Sequence, residues 1–72
     1  MQHWQDITAN GYQAIFDSEV GKIVVQQSGF ISQEYDVLSP DGAISEHVSP
    51  SQVGNILSEY GASGVRRGDD NE

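Results

Sequence analysis

Residues 49–61, S-P-S-Q-V-G-N-I-L-S-E-Y-G, constrain the fold more than any other stretch, because they spell one complete helix with both of its ends. Ser49 is a capping residue, Pro50 suits the first helical position, and Gln52 completes an S-x-x-Q capping box. Val48 before the cap and Val53 inside it are placed to form a hydrophobic staple. Gly61 is placed to end the helix in the left-handed conformation. Val53, Ile56, Leu57 and Tyr60 follow the i, i+3, i+4, i+7 spacing of one buried stripe. A helix with a single apolar stripe must lie against something apolar, and the residues before it read as a sheet.

That sheet is written in short alternating runs. Ile23, Val24 and Val25 give residues 22–27 the clearest strand propensity in the chain. The run Tyr12-Gln13-Ala14-Ile15-Phe16 alternates well enough to pair with it across the turn Asp17-Ser18-Glu19-Val20-Gly21. Phe30 and Ile31 are an apolar pair expected in the core. Residues 33–38 alternate so that Tyr35 and Val37 point inward while Glu34 and Asp36 point outward. Ser39-Pro40-Asp41-Gly42 has the sequence of a type I turn, and residues 43–48 return as the partner strand. Residues 3–8 read either as a further strand, with Asn10-Gly11 as its hairpin turn, or as a loose arm whose Trp4 covers the core.

The expected class is therefore α+β: an antiparallel meander of four or five short strands packed against one C-terminal helix. A small SH3-like barrel with a terminal helix is the alternative, since the hairpin of residues 35–48 would serve it equally. Residues 1–61 form a single domain in this reading. Residues 62–72, A-S-G-V-R-R-G-D-D-N-E, are small, polar and charged, and are expected to be a disordered tail.

Length and composition narrow the class. A chain of 72 residues makes one small domain that buries only about 60% of its unfolded surface, so support from a second copy or a partner is a reasonable expectation. It contains no cysteine, hence no disulfide framework and no thiolate metal site. The first residues lack the basic and apolar regions of a signal peptide, and the longest strongly apolar run, Ile23-Val24-Val25, is too short to cross a bilayer. The expectation is a cytoplasmic protein with no membrane association.

Charge is the most unusual global property. The chain has 11 acidic residues against three basic ones, Lys22, Arg66 and Arg67, for a net charge of −8. A chain of this length at the usual 25% charged would carry about nine of each sign, so the imbalance comes mainly from missing bases. A body of nearly single-signed charge disfavours nucleic acid or an anionic membrane as direct partner and favours a basic surface.

The chemistry-bearing motifs are few. The two histidines, His3 and His47, form no H-x-x-x-H or H-E-x-x-H pair, and the glycines form no phosphate-cradling loop. His47 lies beside Glu46, yet nothing at recognisable spacing supplies a nucleophile or an oxyanion site. Arg67-Gly68-Asp69 spells an adhesion tripeptide by chance. The reading is a protein that is not an enzyme and uses no cofactor and no metal.

The acids themselves are the candidate site: Asp17, Glu19, Glu34, Asp36, Asp41 and Glu46. Glu34 and Asp36 alternate along one strand, about 6.6 Å apart, and like charges about 7 Å apart in water repel by only about 0.6 kcal/mol. Such a row offers a basic groove something electrostatically like a nucleic-acid backbone. In size, sign of charge and lack of a catalytic motif the chain resembles the small acidic anti-restriction and anti-CRISPR inhibitors of phages and mobile elements. The likeness is one of global properties, so it assigns no role to any residue. It implies a nucleic-acid mimic that docks on a basic, nucleic-acid-binding protein. Two other readings are open: a structural or adaptor component acting as a homodimer, and a generic acidic protein of a salt-adapted organism. Against the last, only 19% of residues are charged.

Overall fold

The Ser49 cap forms as the sequence requires. In the computed structural model, which describes residues 3–29 and 33–68, Ser49 Oγ accepts from the backbone N–H of Gln52 and Gln52 returns a side-chain bond to the Ser49 N–H. Phe30 and Ile31, expected in the core, lie outside the described residues. The helix so started runs Pro50–Glu59. It stops in a Schellman motif, with Gly61 at φ 65° and the N–H groups of Gly61 and Ala62 reaching the carbonyls of Ser58 and Leu57. Its stripe is core: Val53 is fully buried, and Ile56, Leu57 and Tyr60 pack against the core partly buried, as does Val48 of the expected staple.

Among the described residues the element order is α1 (Trp4–Ala9), β1 (Ala14–Ser18), β2 (Gly21–Gln27), β3 (Tyr35–Leu38), β4 (Ile44–Val48), α2 (Pro50–Glu59) and β5 (Ser63–Arg67). The strands form one antiparallel sheet in the order β4-β3-β2-β1-β5. This is the α+β class with a meander of four consecutive strands, and the sheet is open at β4 and β5 rather than closed as a barrel. No helix among the described residues is long and apolar enough to cross a membrane.

Three expectations need correction. Residues 3–8 are neither strand nor loose arm, because Trp4–Ala9 is a helix. His3 caps it by accepting from Gln5 N–H, and Gly11 at φ 87° ends it in a second Schellman motif. Asn10-Gly11 is thus a helix terminus and not a hairpin turn, since a glycine free to adopt positive φ serves both purposes. The helix holds because Ile7 and Thr8 are buried and the Trp4 ring meets Tyr35 edge-on at 4.8 Å. Second, residues 63–67 lie in the segment expected to be disordered, yet they form β5 along β1, with Val65 opposite Phe16. Third, the long helix is not C-terminal, because β5 follows it.

The core lies on one side of the sheet. Ala14, Phe16, Ile23, Val25, Tyr35 and Val37 are buried there beneath Ile7 of α1 and Val53 of α2. Alternation along the strands turns the next residues to the opposite side, which neither helix covers.

Candidate functional site

The six carboxylates singled out from the sequence sit at the two ends of the strands, and the sheet topology decides which come together. Glu34, Asp36 and Glu46 gather at one end, where β3 pairs with β4. The register of that pair slips between Tyr35 and Val37, so that Glu46 and His47 together stand opposite Asp36. His47 takes φ 58° to make this bulge, a conformation that is rare for a residue with a side chain. Its backbone N–H donates to Asp36 Oδ1 at 3.2 Å and its Nδ1 lies 3.2 Å from Glu34 Oε1. Ser28, just beyond β2, donates to the same Asp36 oxygen at 2.6 Å. These bonds to the charged form, Ser28 first, hold the Asp36 carboxyl below its ordinary value.

Asp17, Glu19 and Asp41 occupy the opposite end, on the β1–β2 and β3–β4 turns. The two turns touch: a Cβ built on Gly21 would lie 2.8 Å from Pro40 Cβ. Asp41 Oδ1 accepts from the Ala43 N–H and Oδ2 accepts from the Tyr60 hydroxyl, and these bonds, Ala43 first, lower its pKa. Asp17 is paired with Arg66 of β5 at 3.1 Å. Glu19 is exposed in the turn.

Glu34 and Asp36 do point outward as alternation predicts, with Tyr35 and Val37 buried between and beyond them. Sequence reasoning missed that Asp36 is half-buried and structural, and that Glu46 belongs with it; the bulge that joins them has no sequence signature of its own. It also missed Arg66 and Arg67 as parts of the body. Arg67 lies over the Tyr12 ring at 4.7 Å, a cation–π contact.

Charge is segregated as a result. Between Ile23 and Val65 the sequence holds Glu34, Asp36, Asp41, Glu46 and Glu59 and no lysine or arginine. In the fold that segment supplies β3, β4 and α2, so the β4 side of the sheet is anionic while Arg66 and Arg67 border the β5 side.

A hollow of about 680 Å³ at the surface is lined by Asn10, Tyr12, Gln13, Gln26, Gln27 and Ser28 among others, with no charged side chain. None of the six acids borders it. Among the described residues no three His, Asp or Glu side chains converge as a metal site requires. The chain significantly matches no family model, no curated protein and no solved structure.

Proposed function

We propose that this protein is a non-enzymatic binding protein that docks through its carboxylates on a basic protein surface, of the kind that binds nucleic acid, and blocks it as a mimic. The observation that carries this reading is the anionic β3–β4–α2 side, where Glu34, Asp36 and Glu46 cluster and the sequence places no lysine or arginine. Carboxylates on adjacent strands, about 5 Å apart across the sheet and about 7 Å apart along it, present a charge density near that of a nucleic-acid backbone. Glu34 and Glu46 are the residues to probe, because both are exposed while Asp36 also holds the bulge together. The phage or mobile-element origin of such an inhibitor belongs to the same proposal.

The test uses the full chain as bait in a host lysate, beside Glu34→Lys with Glu46→Lys. The expected result is a nucleic-acid-binding protein retained by the wild type, released by added duplex DNA or by high salt, and lost with the double variant. Equal retention by both baits, or retention indifferent to duplex DNA, would overturn the reading.

A further inference from the structure

Four apolar side chains lie in a row on the face of the sheet that neither helix covers. The register places Ile15 opposite Val24, Val24 opposite Leu38, and Leu38 opposite Ile44. Residues directly opposite on antiparallel strands share a face. The chain neighbours Ala14, Phe16, Ile23, Val25 and Val37 are core, so alternation sends the four outward. They are absent from the residues packed against the core, and Leu38 and Ile44 are 37% and 63% exposed. The row crosses four strands and is about 14 Å long at roughly 4.8 Å per strand.

Its two ends differ in charge. Past Ile15 the row continues into Arg66 on β5, which is paired with Asp17, and Lys22 stands opposite Asp17 alongside. At the other end Asp36 flanks Leu38, and Glu46 stands opposite Asp36 in the bulge beyond Ile44. An apolar centre with a charged margin is how protein interfaces are built. A partner surface of one sign would suit one end and oppose the other. A second copy suits both when it is turned about a two-fold axis that runs parallel to the strands between Val24 and Leu38. Ile15 of each copy then lies over Ile44 of the other, Val24 lies over Leu38, and the Arg66 end meets the Glu46 end twice.

The sheet edges do not offer the same opportunity. The β4 ladder is broken by the bulge at His47, and β5 is broken opposite Phe16 and Asp17, where Gly64 has φ 67°. We propose that the chain forms a two-fold homodimer, sheet face on sheet face, through Ile15, Val24, Leu38 and Ile44. The face is small, roughly 300 Å² in projection for five strands of about five residues, which places it at the weak end of specific interfaces. The net charge of −8 on each copy opposes association over distance, so added salt tightens the dimer. Docking on a basic surface has the opposite salt dependence, and the two proposals stand or fall separately.

Sedimentation equilibrium of the full chain across the micromolar range, at low and high salt, is the test. The wild type is expected to shift from monomer to dimer, at lower concentration in high salt. Leu38→Lys and, independently, Ile44→Ser are expected to weaken the dimer at least tenfold with the far-UV spectrum unchanged; Ile44 is exposed enough that its substitution leaves the fold intact. Arg66→Glu weakens it, and combining Arg66→Glu with Glu46→Arg restores it in part. A wild type that remains monomeric throughout, or a folded Ile44→Ser variant that dimerises as the wild type does, would overturn the proposal.

Discussion

The hydroxyl of Tyr60, at the C-terminal cap of α2, donates to Asp41 Oδ2 in the β3–β4 turn at 3.0 Å, tying the end of the helix to the far end of the sheet. The carboxyls of Asp41 and Asp36 each have a pKa lowered in the folded chain by hydrogen bonds to the charged form.

The sign of the resulting pH dependence is fixed. Because both folded values lie below the ordinary aspartate value of 3.8, the stabilisation is fully present above that value and is lost as pH falls through the lowered folded values. Urea midpoints measured from pH 7 downward should decline across this acidic window. Tyr60→Phe should lower the midpoint at neutral pH, and its difference from the wild type should shrink once Asp41 is protonated. A constant difference at every pH would show that the hydrogen bond has no part in it.

Glycine-to-alanine changes should have opposite signs at two positions. Gly21 sits at φ 134° with Pro40 in the way of any Cβ, at 2.8 Å. Gly21→Ala should cost about 1–3 kcal/mol through strain and the displacement of the neighbouring turn. Gly54, inside α2, has open space around the added atom. Gly54→Ala should stabilise by about 0.5–1 kcal/mol, as expected of an exposed helix interior. Thermal melts of the two variants would decide both.

Core truncations should rank by burial. Ile23 is fully buried in the centre of the sheet and Ile23→Ala should cost about 2–5 kcal/mol, close to the whole stability of so small a domain. Leu57 carries the same expectation from its place in the helix stripe. It is only half-buried in the structure, which reduces the expected cost of Leu57→Ala to about 1–2 kcal/mol. Chemical denaturation that found Leu57→Ala the more damaging would contradict this packing.

Ending the chain after Gly61 should be far more harmful than its polar sequence suggests. Without β5, the β1 strand loses its partner along one side, and the Phe16 side chain loses its neighbour Val65. The expected outcome is a cooperative transition lost or shifted well below that of the full chain, together with a tendency to aggregate through the exposed edge. Unchanged melting of the shortened chain would show that β5 contributes nothing.

What could be read from the sequence was what is local. The Ser49 capping box, the Schellman glycine Gly61 and the alternation of Tyr35 and Val37 each depend on residues a few positions apart, and each is found in place. The α1 helix has a local signal in Trp4, Ile7 and Thr8 at i, i+3, i+4, but it is outweighed by β-branched residues and by Asn10-Gly11. The β5 strand has almost no local signal, with Val65 as the one large apolar residue in S-G-V-R-R; its conformation is imposed by the vacant side of β1. The candidate acids were legible singly, as outward positions. Their grouping around His47 and around the two turns depends on strand register, which no short window of sequence contains.

The placement of β5 also sets an order of events. The first strand of the sheet is completed by the last, Ala14 by Arg67 and Phe16 by Val65, with every other element of the sheet lying between them in the chain. The consecutive hairpins β1–β2 and β3–β4 can close early, since their loops are short, whereas β5 has to find a partner from the far end of the molecule. During synthesis β1 therefore remains a bare border strand until residues 63–67 have emerged. The sheet becomes whole only once β5 is available, and a ribosome stalled before Ser63 would leave a fragment with a sticky side rather than a finished sheet.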